Sequence, residues 1–138
     1  MTTMQTQSKP VTHYYETVQS LGSLRTPAHA VRWTTAVLQT LALNLDGKTK
    51  KQLVKALPEP LAEDLSRIFW LLHFRDTSIS SQEFCNRVAR RAGNSDWQFA
   101  EIPTKAVFHG LKELVDTQLN QQVADTLSPE LRQLWEQA

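Results

Sequence analysis

Residues that cross-link a chain or turn it sharply are scarce in this sequence. Its 138 residues include one cysteine, four glycines and six prolines. A single cysteine can form neither an internal disulfide nor a cysteine-based zinc site, and its isolation favours a reducing compartment. So few glycines and prolines do not fit a β-sandwich, which needs many tight turns. The composition therefore favours a helical fold.

Long apolar runs are absent as well. The longest strictly apolar run covers residues 68–72, far short of the roughly 20 residues that a membrane-spanning helix needs. Residues 1–10 are polar and contain nothing like the apolar core of an export signal. We therefore expect a soluble, cytoplasmic protein without a transmembrane segment.

Motifs for catalysis and metal binding are also missing. The sequence has no glycine-rich phosphate loop, no Gly-x-Ser-x-Gly turn and no paired catalytic carboxylates. Its four histidines are too far apart in sequence, from one another and from Cys85, to form a local metal-binding pair. Cys85 precedes Val88 and Ala89 by about one helical turn, so we interpret it as a small core residue rather than a nucleophile. We expect no enzyme activity, no cofactor, and neither a catalytic nor a metal site.

What the chain does contain is an internal repeat. Shifting the sequence by seventy residues aligns its apolar residues without a gap. Seven pairs among the identical matches are Val18/Val88, Ala30/Ala100, Thr34/Thr104, Val37/Val107, Leu41/Leu111, Leu57/Leu127 and Leu61/Leu131. Similar residues match at Tyr14/Phe84 and Leu65/Trp135. Because most matched residues are of the kind found in cores, the repeat indicates a duplicated packing arrangement.

The spacing of apolar residues predicts the same series of helices in both halves. In the first half it predicts a helix over 11–20, a long helix from Pro27 to about Asp46, a short helix over 48–57 and a helix after Pro58. The second half repeats this order from Ser81 to Trp135. The prediction is an all-α fold in which two tandem four-helix repeat units pack into one compact helical domain.

The boundaries of the units follow from the same pattern. Residues 1–10 are expected to be a disordered tail, residues 11–74 the first repeat, residues 75–80 a linker and residues 81–138 the second repeat. Each unit is too small to fold comfortably by itself, so we expect the two to share one core.

A turn pattern connects the chain to a known family. Residues 127–131 read Leu-Ser-Pro-Glu-Leu, and Leu134-Trp135 follow. With the core residues of the second half, this pattern resembles the bacterial family catalogued as domain of unknown function 2267. The resemblance covers about residues 11–137 and implies a helical fold, but it supplies no catalytic residues. The first half departs from the pattern, since residues 57–61 read Leu-Pro-Glu-Pro-Leu.

Basic residues are concentrated in the first half. Residues 1–58 carry seven basic and two acidic residues, a net charge of +5, whereas residues 59–138 carry eight basic and twelve acidic residues, a net charge of −4. Four of the basic residues share one predicted short helix: Lys48, Lys50, Lys51 and Lys55. The matching positions of the second half hold no basic residue: Gln118, Asn120, Gln121 and Asp125. The fold therefore does not require these lysines, and they are candidates for binding an anionic partner.

An aromatic segment is the second unusual feature. Helical spacing places Ile68 and Leu72 on the face toward their own repeat. Trp70 and Phe74 then lie on about the opposite face and must be buried by something else. We expect the second repeat to cover them, with Phe84 or Trp135 beside Trp70. The alternative is that Trp70 and Phe74 form a surface for a partner protein or a dimer.

These features favour a binding function over catalysis. Our leading hypothesis is a non-enzymatic helical interaction module that binds another protein or associates with itself. The alternative is an electrostatic binder of nucleic acid or acidic lipid that uses the helix from Lys48 to Lys55. A small-molecule pocket between the repeats ranks third. The candidate partner-binding residues are Lys48, Lys50, Lys51, Lys55, Trp70 and Phe74.

Overall fold

Helices make up all the regular secondary structure in the part of the chain that the computed structural model describes, which is residues 2–67, 76–94 and 96–138. In chain order they are α1 (Thr2–Leu21), α2 (Pro27–Ala42), α3 (Gly47–Ala56), α4 (Glu59–Ser66), α5 (Ser81–Arg91), a 3₁₀ helix (Trp97–Phe99), α6 (Glu101–Leu114), α7 (Thr117–Thr126) and α8 (Pro129–Gln137). The predicted all-α class is confirmed for these residues. None of the helices in these ranges is long and apolar enough to cross a membrane.

Polar side chains fix where the helices begin. Asp46 accepts a hydrogen bond from the amide of Thr49 at 2.7 Å, and α3 begins at the next residue. Seventy residues later Asp116 accepts one from the amide of Leu119 at 2.8 Å, and α7 begins in the same way. Such N-caps satisfy amides that have no partner inside the helix. The two short helices are both ten residues long.

The first helix is longer than the sequence predicts. Composition predicts a disordered tail over residues 1–10 and a helix from Val11, whereas α1 begins at Thr2 and includes Pro10. Tyr14 and Val18 are buried and hold the later part of the helix in place. Once a helix has a fixed segment, a residue added to it gains a hydrogen bond without a new nucleation cost, except at Pro10, which has no N–H to donate. Residues 2–10 therefore continue α1 toward the N-terminus.

The start of α6 shows how proline is accommodated. The sequence predicts that Pro103 either kinks the long helix or moves its start to about Ile102. The helix begins at Glu101, after the 3₁₀ helix, so Pro103 lies in its first turn. Amides in the first turn have no partner within the helix, and the missing N–H of proline costs nothing there.

Residues matched by the seventy-residue shift are buried in both halves. Leu41 and Leu111 are both fully buried, as predicted, and so are Val37 and Val107. One continuous cluster of buried apolar residues contains members of both halves. Within it, the rings of Phe84, Phe108 and Trp135 follow one another at centroid distances of 5.9 and 5.1 Å.

The first helix of each half packs against the long helix of the other half as well as against helices of its own half. Helix α1 packs against α6 of the second half, and α5 packs against α2 of the first half. The matching helices also meet each other, since α2 contacts α6 and α3 contacts α7. Each half therefore completes the core of the other.

One close approach between the halves is made at a glycine. A Cβ atom on Gly110 would lie 2.6 Å from Cε1 and 2.8 Å from Cδ1 of Tyr14, closer than such atoms can approach. The Tyr14 ring has little room to move, because it is 2% exposed and its hydroxyl lies 3.1 Å from Oγ1 of Thr34. The lack of a side chain at Gly110 is therefore what lets α1 lie against α6.

Two glycine substitutions with opposite surroundings test this contact. Gly110→Ala should lower the free energy of unfolding by about 1–3 kcal/mol, because the added methyl group must displace a buried ring. Gly47→Ala places its methyl group where no atom lies within 4 Å, so it should leave stability unchanged or raise it by about 0.4–1 kcal/mol. Urea denaturation followed by circular dichroism measures both. Equal stabilities for the two variants would contradict the contact.

Candidate functional site

Three of the four predicted lysines point away from the protein. Lys48, Lys51 and Lys55 are exposed on α3, whereas Lys50 is half-buried. A helix turns by about 100° per residue, which places the three exposed lysines within an arc of about 60° and over a length of about 10 Å. The buried side chain of Leu53 lies on the other side of the helix. We call Lys48, Lys51 and Lys55 the lysine stripe.

The lysine stripe carries its charge without local neutralisation. Among the described residues, no salt bridge includes Lys48, Lys51 or Lys55. The half-buried Lys50 differs, because burial lowers the pKa of its ammonium group. Asp125 is the residue of the second half that matches Lys55. It accepts a hydrogen bond from Gln121 and forms a salt bridge with Arg132. The stripe is thus a feature of α3 alone.

A polar groove runs beside the lysine stripe, between α3 and α7. It encloses about 350 Å³ and is lined by Gln52, Lys55, Ala56, Asp116, Gln118, Leu119 and Gln122. The Asp116 carboxylate is the N-cap of α7, and the Gln122 amide donates to Oγ1 of Thr49 at 3.4 Å. The amide groups of Gln52 and Gln118 add further polar atoms next to Lys55.

An exposed apolar surface lies where α1 ends beside the start of α6. Phe99 is 66% exposed, Ile102 56% and Leu21 48%. Leu21 and Ile102 line the same shallow groove of about 270 Å³, together with Ala106 and His109. Phe99 is three residues before Ile102, immediately ahead of α6. We call Leu21, Phe99 and Ile102 the apolar patch.

Sequence reasoning did not identify the apolar patch, although the repeat contains its signal. The seventy-residue shift pairs Leu21, Phe99 and Ile102 with Arg91, His29 and Arg32. Arg91 donates to Gln39 at 3.4 Å, and Gln39 is the residue paired with His109 of the apolar groove. The positions paired with the apolar patch thus hold polar and basic side chains.

The single cysteine belongs to the core, as predicted. Cys85 is 2% exposed, and burial raises the pKa of its thiol to about 11. It is one of the residues that line a polar cleft of about 380 Å³, with Ser81, Trp97, Glu101 and Glu130 among the others. The Glu130 carboxylate accepts hydrogen bonds from the amide and hydroxyl of Ser81, so it has a structural role. In the described ranges, no three His, Cys, Asp or Glu side chains are placed to hold a metal ion.

The Cys85 environment predicts slow alkylation. With a pKa of about 11, only about a thousandth of the thiol is thiolate at pH 8, and the thiolate is the reactive form. Iodoacetamide at pH 8 should therefore modify native protein far more slowly than urea-unfolded protein, as measured by mass spectrometry over time. Equal rates for the two states would show that the thiol is accessible and ionised in the fold.

The aromatic candidates remain untested. Trp70 and Phe74 lie outside the described residues, as does the expected contact of Trp70 with Phe84 or Trp135.

Comparison with known proteins identifies the family of the chain. The family model described as "Uncharacterized conserved protein (DUF2267)" matches residues 12–134. No curated protein matches the sequence. The chain belongs to this family, and the resemblance carried by its turn and core residues is confirmed.

Proposed function

We propose that this member of the DUF2267 family is a helical interaction module that binds another protein or a second copy of itself and catalyses no reaction. The observation that carries the proposal is the apolar patch. Leu21 and Ile102, 48% and 56% exposed, line one groove at the junction of α1 and α6, and Phe99, 66% exposed, precedes Ile102 by three residues. Exposed apolar residues that lie close together are typical of protein-binding surfaces.

The apolar patch has a fixed base. Ala100 and Ala106, which flank Phe99 and Ile102 in sequence, are buried in the shared core. Leu21 is the last residue of α1, whose contact with α6 includes Tyr14 and Gly110. Side chains held on rigid elements lose less conformational entropy on binding than side chains on loops. An aromatic residue such as Phe99 also supplies a large contact area to a partner.

Comparing surface residues at paired positions of the two halves indicates which of them the fold does not need. We propose that the chain is a duplication, with residues 11–74 and 81–138 as two four-helix units. In support, α1 and α5 end seventy residues apart, at Leu21 and Arg91, and the bounds of α3 and α7 differ by the same interval. Equivalent positions then have similar backbone surroundings. The apolar residues of the patch stand where the other unit has charged or polar ones, which favours a role in binding.

A variant that copies the other half tests the proposal. Leu21→Arg, Phe99→His and Ile102→Arg together install the residues found at the equivalent positions. The fold should persist with nearly unchanged stability, since exposed substitutions usually change it by less than about 0.5 kcal/mol. Self-association, measured by sedimentation velocity, or recovery of one specific partner, measured by quantitative mass spectrometry, should be lost.

Val31→Arg is the matched control, because Val31 is a 42% exposed apolar residue on α2. It adds a positive charge and removes an exposed apolar side chain at a different position. It should retain the wild-type association. The proposal is wrong if the triple variant and the control behave alike, whether both keep or both lose the interaction.

The alternative function stays a prediction, and it would use a different helix from the apolar patch. Electrostatic binding of nucleic acid or acidic lipid would use α3, whereas the apolar patch belongs to α1, α6 and the 3₁₀ helix before α6. The two surfaces can therefore be altered independently.

A further inference from the structure

The lysines at the start of α3 do not stabilise the helix, although Lys55 in its last turn lies where a cation is favourable. Lys48 and Lys50 lie in the first turn of α3, which contains no acidic residue. The amino-terminal end of a helix carries partial positive charge, so cations there are unfavourable. Helix α7 has Gln118 and Asn120 at these positions and forms a helix of the same length. The positive charge on α3 thus needs an explanation other than folding.

We propose that the lysine stripe binds the phosphate backbone of double-helical nucleic acid without reading its sequence. The stripe presents three ammonium groups along about 10 Å of one helical ridge. A strand of a duplex carries one phosphate per roughly 3.4 Å of axis, so about three phosphates cover the same length. The spacing and sign of the charges are therefore complementary to one strand of a duplex.

The polar groove beside the stripe extends the same contact. Gln52, Gln118 and Gln122 line it next to Lys55, and glutamine side chains commonly donate hydrogen bonds to phosphate and sugar oxygens. The groove also contains Asp116, whose carboxylate is engaged by the amide of Leu119. Neither arginine nor an aromatic residue lines this groove. Those residues make most base-specific and stacking contacts, so binding is independent of sequence.

A membrane surface fits the stripe less well than a duplex. The large exposed apolar residues of the described chain are Leu21, Val31, Phe99 and Ile102, and none belongs to α3. Helices that lie on membranes bury an apolar face in the lipid, but the apolar face of α3 is packed in the core.

Salt dependence of duplex binding gives a direct test. The probe is a fluorescently labelled mixed-sequence DNA duplex of about 20 base pairs, titrated with the full chain and followed by anisotropy at increasing salt. Three phosphate contacts predict that the logarithm of the association constant falls with the logarithm of salt concentration with a slope of about −2.7. Lys48→Gln, Lys51→Gln and Lys55→Gln together should reduce affinity at least about tenfold at low salt and flatten the slope.

A second variant with the same loss of charge controls for net charge. Arg25, Arg32 and Arg90 are exposed on other segments, and changing all three to glutamine should alter affinity by less than about threefold. Thermal unfolding should show that both variants remain folded, with stabilities close to that of the wild type, since exposed substitutions usually change stability little.

Three results would overturn the proposal. The first is an absence of duplex binding at low salt, and the second is an equal loss of affinity in the two variants. The third is tighter binding to phosphatidylserine-containing vesicles than to the duplex at the same salt concentration, which would identify a lipid surface as the ligand. The apolar patch is intact in the lysine variant, so these outcomes leave the proposed protein-binding function to its own test.

Discussion

The contact between Tyr14 and the backbone at Gly110 is the constraint on which the arrangement of the two halves depends. With no side chain at Gly110, the Tyr14 ring reaches α6 and α1 crosses onto the second half. The reciprocal contact of α5 with α2 crosses in the opposite direction. Because the first helix of each half covers the long helix of the other, the buried residues form one cluster. The same crossing brings the end of α1, at Leu21, beside Ile102.

The proposed binding surfaces lie where the two halves differ in surface residues. Equivalent core positions hold similar apolar residues, as at Leu41 and Leu111, and both are fully buried. Equivalent surface positions differ in chemistry: the lysine stripe corresponds to glutamines and an aspartate, and the apolar patch corresponds to two arginines and a histidine. The proposed duplication would preserve what packing requires and leave the surface free to change. The contrasts between the halves are therefore where we look for binding.

Sequence patterns predicted the helices better than the surfaces, for physical reasons. The spacing of apolar residues predicted α3 to within one residue, but the long helix, predicted to reach about Asp46, ends at Ala42, because Asp46 is the N-cap of α3. The start of α1 could not, because helix extension over polar residues depends on the fixed segment that follows. The exposure of Phe99 and Ile102 could not be predicted either. Helical spacing predicts an apolar face of a helix, but it does not predict whether another helix covers that face. The lysine stripe was predicted, except that Lys50 is half-buried away from the other three.

The central claim is that the two halves fold as one unit because each covers the core of the other. Native-state hydrogen exchange in the Leu111→Ala variant tests it most directly. Creating this cavity in the second half should lower the opening free energy of amides in α2 and in α6 by the same amount, about 2–5 kcal/mol. If α2 in the first half kept its wild-type opening free energy while α6 lost protection, the halves would be independent and the account would be wrong.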